Sequence, residues 1–165
     1  MHEAAARVRR DHFAEPPAAA LQLAAARERG FPEDLLTFYS LTDGCCLWPG
    51  SDITTPDGRQ WRYLMPPLSC LRTIPECGYL LPGAGTLYDE AQSWLALFDV
   101  GDGNQLALDV SPNHRGQVID CWVETINRPG ELSVVALSFS EAIEHFLTSR
   151  EAWWLHSGRQ HYGTR

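Results

Sequence analysis

The five cysteines have the greatest potential for chemistry in this chain: Cys45, Cys46, Cys70, Cys77 and Cys121. A thiol enzyme needs a cysteine beside a histidine, and His114 and His145 are available as partners. A zinc site needs paired ligands at short spacing such as Cys-x-x-Cys, and neither Cys45-Cys46 nor Cys70-x6-Cys77 has that spacing. We therefore expect reduced thiols that pack as small hydrophobic side chains, with no metal and no cofactor.

The turn Gly101-Asp102-Gly103-Asn104 begins like a dinucleotide-binding fingerprint. The third glycine is missing, however, and a strand follows where phosphate binding needs the N-terminus of a helix. Asp99, Asp102 and Asn104 resemble part of a calcium loop, but the later bidentate acid is absent. Gly-x-Ser-x-Gly and His-Glu-x-x-His do not occur either. We interpret the turn as a tight hairpin connection, and we predict no catalytic residue.

Charge and aromatic content favour a protein partner. Thirteen basic and twenty-one acidic residues give a net charge of -8, which repels nucleic acids and anionic membranes and attracts basic proteins. Six tryptophans exceed what so small a domain can bury deeply, and partly exposed tryptophan is typical of binding hot spots. Trp61, Trp94 and Trp154 are expected at the edge of the core. The predicted partner-binding residues are Trp48, Asp52, Asp57, Asp120, Trp122 and Glu124.

Helices are predicted at both ends of the chain. Residues 18–29 follow Pro16-Pro17 and precede Gly30, and residues 32–44 begin at Pro32 and end at Gly44, an arrangement that is common in helices. Ser138-Phe139-Ser140-Glu141 matches a capping box, which places the start of a last helix at this point. Residues 75–85 are rich in proline and glycine, so we expect a long surface loop there.

Between the helices, apolar residues alternate with the period of β-strands. Leu106, Leu108 and Val110 alternate with Gln105, Ala107 and Asp109, as in a strand buried on one face. This order of elements predicts an α+β fold, a central antiparallel sheet with two N-terminal helices and a C-terminal helix, and helices on one face of the sheet. The predicted strands are a hairpin within residues 47–65 and the segments 94–100, 105–110, 117–124 and 132–137.

Four segments in this order resemble the SUKH superfamily, the Smi/Knr-type proteins. Phe31 to Gly44 is similar to the family's Leu-Pro helix that ends in Asn-Gly, although Phe31 replaces leucine, Asp43 replaces asparagine, and residues 75–93 form an added loop. Trp94 to Val110 resembles the paired central strands that end in an aliphatic-Asp pair. Gly116 to Val118 resembles the entry to the next strand, and Val135 to Ile143 resembles the closing Ala-x-Ser-Phe segment. The resemblance covers residues 18–147.

The resemblance implies a fold without a catalytic constellation. In bacteria it implies frequent service as an immunity protein that neutralises a cognate toxin, often a nuclease, and eukaryotic members resemble regulators of cell-wall synthesis and signalling. Our leading hypothesis is therefore an immunity protein that covers a basic toxin domain. A regulatory scaffold that recruits several partners is the alternative, and a thiol-dependent enzyme ranks below both.

The sequence also predicts how the chain is organised and where it acts. We expect an N-terminal extension over residues 1–17, a SUKH-like domain over 18–155 and a C-terminal tail over 156–165. The first residues are charged where a signal peptide would be apolar, and no stretch approaches the length of a membrane span. We therefore expect a cytoplasmic protein, and the sequence leaves its oligomeric state open.

Overall fold

The central feature of the fold is an antiparallel sheet in which each strand pairs with the next strand along the chain. The computed structural model describes residues 1–47, 63–80, 82, 85–100, 104–148 and 162–164. Within these residues the sheet has seven strands, and every pairing is antiparallel. This confirms the predicted α+β fold with a central antiparallel sheet. The strands are β1 (Phe13–Ala14), β2 (Cys45–Leu47), β3 (Tyr63–Met65), β4 (Trp94–Asp99), β5 (Gln105–Asp109), β6 (Val118–Cys121) and β7 (Val134–Ala136).

The helices lie at the predicted places and at two unpredicted ones. They are α1 (His2–Asp11), α2 (Ala20–Glu28), α3 (Glu33–Tyr39), α4 (Thr86–Ala91) and α5 (Phe139–Thr148), and a short 3₁₀ turn spans Leu68–Cys70. Helices α2, α3 and α5 confirm the prediction. Among the described residues, no helix combines the length and the apolar character that crossing a membrane requires.

Helix α1 was missed because its buried side chains are small and its other residues are charged. Ala4, Ala5 and Val8 are fully buried in the main core, while Arg9 and Arg10 are exposed. Alanine contributes little to a hydrophobic periodicity, so the pattern did not indicate a helix. The segment before residue 18 nevertheless contributes this helix and the edge strand β1 to the fold.

The sheet is buried on both faces in its middle. On one face, Leu95, Leu106, Leu108 and Val118 pack in a core with residues of α1, α3 and α5. The opposite face, which we call the second face, is also covered. Its sheet residues are Trp94, Ala96, Ala107, Ile119 and Cys121, and they pack with Ile74, Leu80, Leu87, Ala91, Ile126 and Leu132.

Two predictions about this sheet are therefore wrong. Strand β5 was expected to be buried on one face, yet Gln105 and Asp109 are only 6% and 2% exposed. The helices were expected on one face, yet α4 covers the second face through Leu87 and Ala91. The reason is that Ile74, Leu80, Leu87 and Ala91, from a segment predicted mainly as a surface loop, pack their apolar side chains against the sheet.

A hydrogen-bond network fixes the start of α5 against α3. The Ser138 hydroxyl accepts a hydrogen bond from the Glu141 backbone N–H at 3.1 Å, which confirms the predicted cap. The Glu141 carboxylate accepts from the backbone N–H of Leu137 at 2.7 Å, one residue before the position that a capping box uses. The Asp34 carboxylate accepts from the backbone N–H and the hydroxyl of Ser140, at 2.8 and 2.9 Å. These contacts join two segments that carried the family resemblance.

Gly44 connects α3 to β2 in a backbone conformation that excludes a side chain, and this generates a stability prediction. Its φ is +97°, and a Cβ there would lie 2.8 Å from the carbonyl oxygen of Met65. Gly78 has a φ of +80° but open space around it, so Gly78→Ala should cost only the conformational penalty of about 1–2 kcal/mol. Gly44→Ala should lower the free energy of unfolding by about 1 kcal/mol or more beyond that, because the neighbour is backbone and must shift. Urea denaturation of both variants measures the difference, and equal losses would contradict the prediction.

Candidate functional site

Except for Asp120, which lies in β6, the predicted partner-binding residues belong to connections that leave the sheet at one end. Successive connections of an antiparallel meander alternate between the two ends of the sheet. The register places Leu47 opposite Tyr63, Asp99 opposite Gln105, and Gln105 opposite Cys121. The β2–β3, β4–β5 and β6–β7 connections therefore share one end, which we call the turn end.

The predicted partner-binding residues assigned to the turn end form two groups that are far apart in the sequence. Trp48, Asp52 and Asp57 belong to residues 48–62, which join Leu47 to Tyr63 and lie outside the described residues. Residues 101–103 also lie outside them, but the antiparallel pairing of Asp99 with Gln105 confirms the predicted hairpin. The second group, Asp120, Trp122 and Glu124, is described.

Asp120 and Trp122 are both half-buried, whereas Glu124 is exposed. Asp120 pairs with Leu106 in the sheet, and its backbone N–H donates to the Ser133 carbonyl at 2.9 Å. The strand was predicted to continue through residue 124, but β6 ends at Cys121. Glu124 is thus an acid of the following turn, not of the sheet. The strand ends early because the Trp122 carbonyl accepts the backbone N–H groups of Thr125 and Ile126, at 2.9 and 2.8 Å.

Asn104 holds this turn against the β4–β5 hairpin. Its side chain is 8% exposed, and its Oδ1 accepts a hydrogen bond from the backbone N–H of Val123 at 3.0 Å. The sequence predicted Asn104 as a turn residue. No local pattern indicated that its hydrogen-bond partner, Val123, lies nineteen positions later in the chain. The contact ties neighbouring connections together and so fixes where Trp122 and Glu124 lie.

The described surface of the turn end is apolar and acidic. Val123 is 50% exposed beside half-buried Trp122, and the acids are Asp99, Asp120 and Glu124. Arg128 follows in the same turn, but its guanidinium lies 3.2 Å from the Glu131 carboxylate, which offsets its charge. An exposed apolar side chain followed in the chain by an exposed acid is suited to contact a basic protein surface.

A cleft with a volume of about 330 Å³ opens on the second face next to the turn end. It is lined by Leu64, Pro66, Cys70, Arg72, Cys77, Tyr79, Ala96, Asp99 and Gln105. The Gln105 amide donates to the Tyr79 hydroxyl at 3.1 Å, which satisfies a buried polar side chain of β5. Sequence reasoning did not predict this cleft, because its walls come from segments that only the fold brings together.

The cysteines divide into two groups. Cys45, Cys46 and Cys121 are buried, as predicted, and burial raises the pKa of the Cys45 and Cys121 thiols far above its ordinary value. Cys70 and Cys77 were also predicted to be buried, but they are exposed. The buried positions of their segment are taken by Leu71, Ile74 and Leu80. Cys70, which precedes Leu71, and Cys77, which lies between Ile74 and Leu80, therefore face solvent.

A smaller cleft of about 270 Å³ lies at the opposite end of the sheet. It is lined by Glu90, Ser93, Trp94, Asp109, Ser111, Asn113 and His114. The Asp109 carboxylate accepts from the Ser111 backbone N–H at 2.7 Å and from the Ser93 hydroxyl at 3.4 Å, so it anchors the start of the β5–β6 connection.

Neither of the two described clefts combines a thiol with a histidine: the cleft with Cys70 and Cys77 has no histidine, and the cleft with His114 has no thiol. Nor do the described residues include a group of three or more metal-binding side chains suited to an ion.

Replacement of Asn104 should loosen the turn that carries Trp122. In Asn104→Ala the Val123 backbone N–H loses its acceptor, which typically costs about 1–3 kcal/mol of stability. We expect faster amide hydrogen exchange at Val123 together with a lower urea midpoint. Asn113→Ala, an exposed asparagine at the other end of the sheet, serves as the control and should change stability by less than about 0.5 kcal/mol. Unchanged exchange at Val123 would show that Asn104 does not hold the turn.

Comparisons with known proteins agree with this fold. A sequence model of the SMI1 / KNR4 family (SUKH-1) matches residues 20–145, which include α2, the sheet from β2 to β7 and most of α5. The chain is also similar to the immunity protein YokJ of Bacillus subtilis (strain 168), with 23% identity over 123 residues that span 74% of this chain and 68% of that protein. Because the family match extends over most of the chain, this protein belongs to the SMI1 / KNR4 family (SUKH-1).

Proposed function

We propose that this protein is an immunity protein that binds a basic toxin domain through the turn end and thereby neutralises it. The observation that carries the proposal is the position of Trp122, Asp120 and Glu124 at the same sheet end from which residues 48–62 depart. The similarity to an immunity protein supports the kind of partner. We further propose that Trp48, Asp52 and Asp57 belong to the same binding surface.

The strand ends at the turn end are close enough to contact one partner together. Three strand spacings separate β3 from β6, which is about 14 Å. A protein interface of standard size covers roughly 800 Å² on each partner, and a patch of that area is considerably wider than this separation. One toxin domain can therefore contact the β2–β3 connection and the β6–β7 turn at the same time.

Charge and shape have different roles in this binding. A chain with a net charge of -8 attracts a basic partner and accelerates association, and the effect decreases with salt because the Debye length is only about 8 Å at physiological ionic strength. Trp122 provides apolar contact area, and the backbone hydrogen bonds at its carbonyl hold the turn before binding. An anchor that is already ordered loses little entropy in the complex, so it slows dissociation.

The proposed mechanism is occlusion of the toxin without a covalent step. The Cys45 and Cys121 thiols are poor nucleophiles because burial raises their pKa and so disfavours the thiolate. A nuclease domain fits as the toxin, since an enzyme that binds nucleic acid presents a basic surface. The same acidic field disfavours binding of nucleic acid or anionic membranes by this protein, and we place its action in the cytoplasm.

Charge reversal and truncation at the turn end should weaken toxin binding. The toxin domains encoded by neighbouring genes are purified, and the Kd of each is measured with the wild-type chain and its variants. Trp122→Ala should cost about 2 kcal/mol or more, which is a roughly thirtyfold or larger rise in Kd. Glu124→Arg should mainly slow association, by about tenfold at low salt, because it reverses a charge that attracts the partner.

Glu90→Arg is the matched control, because Glu90 is exposed at the opposite end of the sheet and the substitution changes the net charge equally. It should bind almost as the wild type does. Equal losses in both charge-reversal variants would attribute binding to overall charge, and unchanged binding in all three would exclude the turn end. Co-expression should also restore growth in the presence of the toxin. Binding of several partners without such rescue would instead indicate a regulatory scaffold.

A further inference from the structure

The two exposed cysteines line the same cleft on the second face. Cys70 ends the 3₁₀ turn Leu68–Cys70, and Cys77 lies in the turn that follows Ile74. Both contribute to the wall of the 330 Å³ cleft, and neither is part of a disulfide. All five cysteines of the chain are described, and the other three, Cys45, Cys46 and Cys121, are buried.

We propose that Cys70 and Cys77 are a reversible modification site that forms an internal disulfide when a low-molecular-weight disulfide such as glutathione disulfide accumulates. In the first step, the thiolate of one cysteine attacks the reagent, a mixed disulfide forms, and one glutathione thiol leaves. In the second step, the thiolate of the other cysteine attacks the protein sulfur of the mixed disulfide and releases the second glutathione. The protein loses two protons and two electrons, and the glutathione disulfide is reduced to two thiols.

The segment between the cysteines is fixed, whereas its two ends have room to move. The Ile74 N–H donates to the Trp94 carbonyl at 2.8 Å, and the Ala96 N–H donates to the Arg72 carbonyl at 2.9 Å. Leu71 and Ile74 are buried. Ser69, Glu76 and Gly78, which adjoin the cysteines, are exposed, and Gly78 has open space around it. Both thiols therefore line one cleft on either side of an anchored segment, and disulfide formation requires the exposed turns to bring the two Cα atoms to a separation of about 4.4–6.8 Å.

The surroundings of the thiols set the pH dependence of the reaction. Arg72, Tyr79 and Asp99 line the cleft with them, and Glu76 precedes Cys77. Burial raises the pKa of the Cys77 thiol, Arg72 lowers it and Glu76 raises it further. Since the thiolate is the nucleophile, oxidation should be faster at pH 8.5 than at pH 6.5.

The test uses the purified full chain with glutathione disulfide as the probe, and it needs no toxin. Before oxidation, a maleimide should label Cys70 and Cys77 in the native protein, while Cys45, Cys46 and Cys121 should react only after unfolding. After oxidation, native labelling should disappear, and the protein mass should fall by about 2 Da for the two hydrogens lost. Dithiothreitol should restore both labelling sites, and peptide mapping should find Cys70 joined to Cys77.

The single variants Cys70→Ser and Cys77→Ser provide the controls, and circular dichroism verifies their folding. Each should stop at the mixed disulfide and retain one glutathione, because the second thiol is missing. Wild-type protein that keeps glutathione on either cysteine, forms disulfide-linked dimers or does not react would overturn the proposal. None of these outcomes affects the proposed immunity function, because the cleft chemistry is measured without a partner.

Discussion

Burial of the β4–β5 hairpin on both faces is the constraint on which the rest of the structure depends. A sheet covered on two sides needs two separate layers of apolar side chains, each removing surface from water at roughly 25 cal/mol per Å². Helices α1, α3 and α5 provide one layer. The second layer comes mainly from the long connection between β3 and β4, with Ile74, Leu80, Leu87 and Ala91, and Ile126 and Leu132 complete it. Without this connection Trp94 would be exposed on the second face, yet it is only 1% accessible.

The same burial explains the polar residues at the ends of the hairpin. A polar side chain without a partner inside a protein costs about 1–3 kcal/mol, so buried polar groups are paired. Gln105 is hydrogen-bonded to the Tyr79 hydroxyl, Asp109 to the Ser111 backbone N–H, and Asn104 to the Val123 backbone N–H. Each of these partners lies in a connecting segment. The buried hairpin therefore fixes loops at both ends of the sheet as well as forming the centre of the core.

This arrangement suits a protein that recognises another protein. Loops on a rigid scaffold can change their surface residues without loss of the core, which is why binding residues are often found on them. At the turn end, Asn104 links the β6–β7 turn to the hairpin, so Trp122 and Glu124 keep a defined position. The cleft with Cys70 and Cys77 shares Asp99 and Gln105 with that end. A disulfide there would therefore form beside the surface that we assign to the partner.

Local patterns in the sequence determined most of the elements and the order of the strands. Pro32 and Gly44 bounded the segment of α3, Ser138 and Glu141 marked the start of α5, and alternating apolar residues located β4 and β5. These patterns predict the elements correctly because helix caps, turns and apolar periodicity depend on residues that are close in the sequence. The acidic net charge and the family resemblance were equally visible in the sequence, and the family match agrees with the latter.

Only the tertiary structure decided which side chains are buried and which surfaces meet. The alanine-rich face of α1, the second cover over Gln105 and Asp109, and the exposure of Cys70 and Cys77 all depend on distant segments that pack together. That the β2–β3 and β6–β7 connections leave the sheet at the same end follows from the order and register of the strands. Burial and proximity are properties of the packed chain. A residue's neighbours in sequence therefore could not determine them.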